Sequence, residues 1–534
     1  MVLGDDLGAV HTWFATKPDG ATTLDGVTFV NARSFPGNGS AAVGIATSKR
    51  SRLFAVAHAD GSVRVWHGTS ERLVAAVRAD DVPLRAIALS PKEDGLLVAG
   101  ANGLHRFDLR PGHPEATLAT VFRPVWYEGA AGPAHAWQST GGSDDFEPKL
   151  GLMPLIFGTL KATFYCLLFG VPLALLAAIY TSEFLHPRWR SRVKPAIELM
   201  ASLPSVVLGF LAGLVLAPFV SEHLTAVLLS VLVVPFVFVI GAQVWQQAPP
   251  WLRPTADRLR VPAALLTMPL GIWLATTAAP LAEAVLFRGD LKNWLAATAL
   301  PATDARRGSA FGGFLLVVAP IAALLGALAT GHLPVRRMVG DTAFRRFLFG
   351  FAATTIIALL LAGGLTAVGC DLRGNLFGVF DPRNSLVVGL VMGFAVVPIV
   401  YTIAEDALAA VPEHLRAASL GAGATPWQTA VRVVFPTAMS GIFSAIMVGL
   451  GRAVGETMIV VMAVGGTAIM DPSVFNGFRT LSANIATELP EAVRDSTHYR
   501  LLYLAALCLF VMTFVLNTLA ELVRQRFRKR AFQL

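Results

Sequence analysis

The sequence predicts a mainly α-helical, polytopic membrane bundle of about nine spans, preceded by a small all-β soluble segment. Three observations point there. Apolar residues fill 54 % of the 534 positions and the mean hydropathy is +0.60, above the level of ordinary soluble domains. The excess lies beyond Leu150, where apolar blocks recur, each long enough for the ~20 residues that cross a bilayer core as helix. Ahead of Leu150, short alternating runs separated by Gly, Asp and Asn read as antiparallel strands. The formal charge of +8 does not indicate nucleic acid. Lys and Arg cluster at the ends of apolar blocks, where they orient spans, and no basic face of a soluble domain is apparent.

Residues 1–150 are read as a partial β-propeller-like domain. One run is RLFAVAHADGSVRVWHG, Arg52 to Gly68; a second is GLLVAGANGLHRFDL, Gly95 to Leu109; a third, GAVHTWF, Gly8 to Phe14, resembles the end of the same unit. The spacing from Trp66 to Phe107 is close to the ~40–45 residues of a WD40-type blade, and DGSVRVW, Asp60 to Trp66, resembles its closing strands. A ring needs several blades, and three at most fit here, so the reading places further blades ahead of Met1. The segment is either a docking platform for a partner or a spacer. His58 and His67 are read as blade packing.

Residues 151–534 are the membrane domain. The nine expected spans lie near 156–180, 199–218, 224–243, 263–282, 309–331, 346–365, 384–404, 437–466 and 500–523. The chain closes on RQRFRKR, Arg524 to Arg530, a cluster that favours the cytoplasm. Alternation then makes 405–436 cytoplasmic, together with the basic stretches Arg336–Arg346, Arg253–Arg260 and Arg188–Lys194. Residues 1–150 fall outside the cytoplasmic membrane. MVLGDDLGAVHTWFA has no exporting segment, so the expectation is a leading membrane helix ahead of Met1. The alternative is that one span is false and the domain cytoplasmic. Cys166 and Cys508 lie within apolar blocks and Cys370 outside them; no Cys/His spacing suggests a metal or a disulfide framework.

The loop from 405 to 436 carries the strongest signal. EHLRAASLGAGATPWQ begins with a short amphipathic helix holding Glu413, Arg416, Ala417, Ala418 and Ser419. Three small residues in succession let helices approach closely. Gly423 permits a positive-φ turn, Trp427 opens a second short helix, and Pro436 lacks an N–H where a new helix is expected to begin. The pattern resembles the EAA coupling loop of permease subunits of ABC importers, which docks on the ATP-hydrolysing subunit. One departure stands out: aligned on Gly423, the leading glutamate of that motif is Ala417, with Glu413 one turn earlier.

The second signal is GLGRAVGETM, Gly449 to Met458. With SLPSVVLGFLAG (Ser202 to Gly213), FGTLKATFYCLLFGVPLALLAAIYTSEF (Phe157 to Phe184) and FNGFRTLSANIATELPEAVRDSTHYR (Phe475 to Arg500), it resembles the PstC-type permease subunits of phosphate-specific importers. The match is to their extended form, with a propeller-like N-terminal domain and four extra helices, here 224–365. A charge at mid-bilayer costs about 2.5–3.5 kcal/mol, so Arg452 and Glu456 need a partner or a task. Four apart on a helix, they are expected to share one face and to pair. Arg452 is expected to line the translocation path and contact the passing anion, where a planar guanidinium suits phosphate oxygens, and Glu456 is expected on the same path, holding it in place or exchanging with it. The other reading is a static ion pair. Gly209, Gly213, Pro204 and Pro398 read as packing or kink residues, and Glu405 and Asp406 as cytoplasmic surface.

The resemblance implies an inner-membrane permease, not an enzyme. The chain has no Gly-Lys dipeptide and hence no phosphate-binding loop of its own. ATP and magnesium would sit on a partner. The implied partners are a second, PstA-like permease, a PstB-like ATPase dimer, an external phosphate-binding protein and membrane lipid. Two other functions stay open: an ABC permease for another oxyanion or small solute, and a membrane sensor or scaffold.

Overall fold

The structure is a computed structural model that describes residues 1–17, 23, 26–141, 147–247, 253–297, 308–332, 343–374 and 376–531. The N-terminal strands form antiparallel meanders. β1 (Val2–Gly4), β2 (Val10–Thr16) and β3 (Thr28–Phe35) make one sheet. β4 (Ala42–Thr47), β5 (Leu53–His58), β6 (Ser62–His67) and β7 (Arg72–Arg78) make a second, and β8 (Ala86–Leu89), β9 (Gly95–Ala99) and β10 (Leu104–Asp108) a third. The β5–β6 turn shows how the sequence dictates this. Gly61 takes φ 78° and Asp60 Oδ1 accepts the Ser62 N–H at 3.0 Å, the two features a tight hairpin needs. Trp66 and Phe107 each lie in the third strand of their meander, so their spacing is a structural repeat. DGSVRVW is followed by β7, which makes it the third of four strands and not the last. Val63, Val65, Leu53, Leu96 and Val98 close one apolar core across the two meanders. His58 and His67 are buried; His58 Nδ1 meets the Ser40 carbonyl at 3.1 Å, and His67 Nδ1 accepts the Ser70 N–H at 3.2 Å.

A connecting stretch follows, with α1 (Leu118–Phe122) and the short pair β11 (Trp137–Gln138) and β12 (Lys149–Leu150). The bundle begins at α2 (Met153–Glu183). Among the described residues eight helices are long and apolar enough to cross a membrane, and this is a multi-pass membrane protein. The span expected at 309–331 is helix α8 (Phe311–His332), whose described apolar stretch, Phe311–Gly326, is shorter than the other eight.

The second span starts later than expected. Residues 187–201 form a separate amphipathic helix, α3 (Pro187–Ala201), with no buried residue. Pro204 then takes ψ 130°, which no helix allows, and α4 (Ser205–Glu222) starts behind it. Pro204 is therefore a helix starter and not a kink. Gly209 and Gly213 are packing positions: a Cβ on either would meet backbone atoms of Met458 or Met462 at 3.0 Å or less.

The additional helices are α5 (Leu224–Gln246), α6 (Arg253–Leu286), α7 (Leu291–Ala296), α8 and α9 (Ala343–Ala367). α5 packs on α6 and α8 on α9, with Thr225 Oγ1 donating to Glu283 Oε1 at 2.6 Å. The basic stretch expected as a loop at 253–260 is the start of α6. Most of the basic stretch at 336–346 lies outside the described residues.

α10 (Ser385–Ala409) is the axis of the fold: its apolar window is 72 % buried, against 11–39 % for the other spans. It crosses α2 where Gly170 faces Gly393; a Cβ on Gly170 would lie 2.9 Å from the Gly393 carbonyl oxygen. Close crossings of this kind need small residues. α2 also fixes the layout. Its first turn adjoins the connecting stretch, and Glu183 at its far end bonds Arg416. The strands and the 413–436 loop therefore sit at opposite ends of a helix about 46 Å long.

Candidate functional site

Two places carry the sequence-predicted site residues. The first is the helical elbow of α11 (Glu413–Gly421) and α12 (Pro426–Gly455). Gly423 sits in the turn at φ 86°, and its N–H bonds the Leu420 carbonyl at 3.0 Å. The start of α12 is set by a capping box, a feature beyond the expected Gly423, Trp427 and Pro436. Thr425 Oγ1 accepts the Gln428 N–H at 3.2 Å, and Gln428 Oε1 accepts the Thr425 N–H at 2.9 Å, with Pro426 at the first helical position. The signal was present as T-P-x-Q.

Pro436 does not begin a new helix. The chain is helical without interruption from Pro426 to Gly455, and a π-turn at Ala430–Val434 directly precedes the proline. A proline inside a helix clashes with the carbonyl four residues back, and a widened turn relieves such a clash.

The elbow divides into an inward and an outward face. Arg416 turns inward. Its Nη1 donates to the Val411 carbonyl at 2.8 Å, and its Nη2 donates to the Leu408 carbonyl at 2.7 Å and to Glu183 Oε1 at 3.0 Å. Ser419 Oγ lies 2.9 Å from Thr429 Oγ1 and ties α11 to α12. Glu413, Ala417, Ala418 and Trp427 are exposed, Trp427 at 58 %, with Leu420 and Val431 beside them. Of the three small residues, only Ser419 faces the neighbouring helix of this chain. Glu405 was expected at the surface and is fully buried instead. It pairs with Arg190 and with Lys194, the latter at 2.9 Å, and Lys194 also holds the exposed Asp406. Bonding to Asp406 and Glu405 holds the Lys194 ammonium well above its ordinary range. A carboxylate out of water needs such partners, and they anchor α3 beneath α10.

The second place is the Arg452–Glu456 stretch. The expected common helix face is absent, because α12 ends at Gly455 and Glu456 is extended at φ −66°, ψ 129°. A six-residue helix, α13 (Met458–Ala463), starts afresh behind it. Among the described residues no ion pair joins Arg452 to Glu456. Helix ends compensate the charges instead. Arg452 lies in the last turn of α12, where the carbonyl end favours a cation. The Glu456 Oε1 accepts the N–H groups of Thr457 at 3.2 Å and Ile459 at 3.3 Å, where the amide end favours an anion. The guanidinium itself is under-used: Arg452 Nε is buried and has no hydrogen-bond partner. Cys166 of α2 is buried within electrostatic reach of both residues.

α14 (Leu481–Glu488) and α15 (Thr497–Ala531) complete the surroundings. Ser482 Oγ of α14 donates to the Glu456 carbonyl at 2.8 Å, and a Cβ on Gly451 would lie 4.0 Å from Asn517 Oδ1 of α15. Arg452 thus sits at a break in a membrane helix with donors to spare. No cluster of three or more His, Cys, Asp or Glu residues able to hold a metal occurs among the described residues. A separate polar cleft of about 1210 Å³, lined by Arg52, His67, Glu93, Glu128 and Glu147, lies among the N-terminal strands and the connecting stretch.

Comparison with known proteins agrees with the permease architecture. Residues 314–530 match the family described as binding-protein-dependent transport system inner membrane component. The match begins within α8. The phosphate transport system permease protein PstC of Mesorhizobium japonicum is 32 % identical over 182 residues, 34 % of this chain and 54 % of that relative. PstC 1 of Mycobacterium tuberculosis is 36 % identical over 157 residues, 28 % of this chain and 46 % of that one. A probable ABC transporter permease, YqgH of Bacillus subtilis, is 32 % identical over 144 residues, 27 % and 47 % of the two chains. The chain spans about half the length of the curated relatives it matches.

Proposed function

We propose that this chain is the permease subunit of an ABC importer that moves inorganic phosphate across a bacterial inner membrane into the cytoplasm. The observation that carries the proposal is Arg452, a guanidinium with a buried, unbonded Nε at a broken membrane helix and, among the described residues, no carboxylate partner. An arginine fork suits a tetrahedral oxyanion, and discontinuous helices of this kind form transporter binding sites. Arg452 contacts the passing anion. Glu456 holds the break open by capping α13 and does not neutralise the arginine. The names of the similar permeases support phosphate as the ion.

The motor lies elsewhere. A PstB-like ATPase dimer carries ATP and magnesium and docks on the outward face of the elbow, where Glu413, Ala417, Ala418 and Trp427 are exposed around the Gly423 turn. Arg416 and Ser419 act from within, fixing the elbow to the spans, and Pro436 lies behind it in the continuing helix. The remaining partners are a second, PstA-like permease and an external phosphate-binding protein. The elbow and the C-terminus are cytoplasmic, and the N-terminal strands, at the other end of α2, are periplasmic. This chain contributes no catalytic residue.

Two measurements test the reading. Radiolabelled phosphate uptake by the reconstituted complex should resist competition from sulfate and molybdate; equal competition would assign another oxyanion. A cysteine at Trp427 should cross-link to the co-purifying ATPase. A chain that brings down no ATPase would be a sensor or scaffold instead.

A further inference from the structure

The stretch between β10 and α2 is gripped from two sides. Toward the strands, Arg33 Nη2 donates to the Trp126 carbonyl, Thr16 Oγ1 to the Ala130 carbonyl and Ser70 Oγ to the Pro114 carbonyl, each at 2.6 Å. Toward the bundle, Val121, Trp137 and Leu150 join Leu481, Leu501 and Leu502 in one buried cluster. The polar joint of that cluster is Glu488, the last residue of α14. Its carboxylate has three N–H-bearing partners: it accepts from Trp137 Nε1 at 3.1 Å and from His498 Nε2 at 2.7 Å, and it forms an ion pair with Arg479 Nη2 at 2.8 Å. Trp137 is the one donor of the three that comes from the N-terminal part of the chain.

The first turn of the same helix reaches the transport site. Leu481 N donates to Thr159 Oγ1 of α2 at 3.0 Å, and Ser482 Oγ donates to the Glu456 carbonyl at 2.8 Å. α14 is therefore a strut about 12 Å long, with the N-terminal domain on one end and the helix break on the other. A buried carboxylate with its hydrogen bonds satisfied is a rigid joint, since a rearrangement that strips it of partners is costly.

We infer that the Trp137–Glu488 joint makes the N-terminal domain a positioning element for transport, holding α14 and, through Ser482, the Glu456 peptide beside Arg452. The inference rests on the reading of Arg452 and Glu456 as the transport site. Glu488 touches no transported ion; it acts through α14. The joint is also separable from the fold. Trp137 and Arg479 share Glu488 Oε1, so loss of the indole N–H leaves the carboxylate paired with Arg479 and His498.

The test uses the full chain assembled with its ATPase and second permease in proteoliposomes. Trp137→Phe keeps the ring and removes the donor. Amide exchange over 481–488 should quicken roughly tenfold, and the ATP hydrolysed per phosphate moved should rise. Ser482→Ala cuts the other end: the ATP cost should rise while exchange at the C-terminal turn of α14 stays as in the native chain. Unchanged exchange in Trp137→Phe would overturn the inference. So would an unchanged ATP-to-phosphate ratio in both variants, or a loss of uptake and hydrolysis in equal proportion, which is the signature of a purely structural contact. The exchange readout needs no transported ion, so a different substrate would sink the proposed function and leave this test standing.

Discussion

Replacing Arg416 with alanine should release α11 from the bundle. The guanidinium makes three bonds inward, to Val411, Leu408 and Glu183. The Arg416 and Glu183 side chains keep 22 % and 10 % exposure, which puts them between two regimes. An exposed bridge is worth ~0–1 kcal/mol, whereas breaking a buried one by removing a single partner costs ~3–5 kcal/mol. About 2–3 kcal/mol is the expected cost here, including the two carbonyls that lose a charged donor. No residue of α11 is buried, so the cost falls on local docking and not on the bundle. It corresponds to roughly a 30–150-fold rise in the undocked population. Amide exchange of 413–421 in the full chain reads this directly, with 385–409 as the internal reference. Adding Glu183→Gln should restore part of the protection, because no unpaired carboxylate then remains. Native exchange rates across 413–421, or an equal loss of protection over 385–409, would refute the idea that Arg416 clamps the elbow.

Three further outcomes follow from the geometry. Thr425→Ala removes one half of the capping box and should cost about 1 kcal/mol, seen as faster exchange in the first turn of α12; an unaltered first turn would mean that Pro426 alone sets the helix start. Gly170→Ala drives a methyl to 2.9 Å from the Gly393 carbonyl oxygen, an overpacking worth ~1–3 kcal/mol; the thermal midpoint of the detergent-solubilised chain should fall, and an unchanged midpoint would show that α2 and α10 separate freely. Burial pushes the His67 pKa from 6.5 to about 4. The folded form resists the proton that the unfolded form accepts, so this stabilisation is complete above pH 6.5 and is lost as pH falls toward 4, up to about 3 kcal/mol. Exchange from β5 and β6 should accelerate over that window in the native chain and less so in His67→Gln; identical profiles would remove His67 from the account.

Some of this architecture is legible in the residues because its causes are local. Apolar runs mark the spans, the Asp60-Gly61 turn marks a hairpin, and the Trp66-to-Phe107 spacing marks a structural repeat. The elbow is legible for the same reason: Gly423 is the residue that φ 86° requires, and Thr425-Pro426-Trp427-Gln428 spells a helix start. The break at Glu456 is not legible. Nothing between Gly451 and Met458 forbids a continuing helix; the break is held by one tertiary contact, the Glu456 carbonyl to Ser482, and by a local cap, its carboxylate to the amides of Thr457 and Ile459. The burial of Glu405 is hidden likewise, since its partners Arg190 and Lys194 read as flanking positive charge. The Trp137–Glu488 contact joins residues 351 positions apart, beyond the reach of any periodicity. Pro436 misleads for a physical reason: a proline suits a helix start, whereas here the helix absorbs it through a π-turn.

The most direct measurement records phosphate flux and ATP hydrolysis together in proteoliposomes carrying Arg452→Ala in the otherwise native complex. The elbow is untouched by this change, so hydrolysis should continue while phosphate flux falls at least to the background of empty vesicles. Flux at the native rate, with the arginine gone, would contradict the account at its centre.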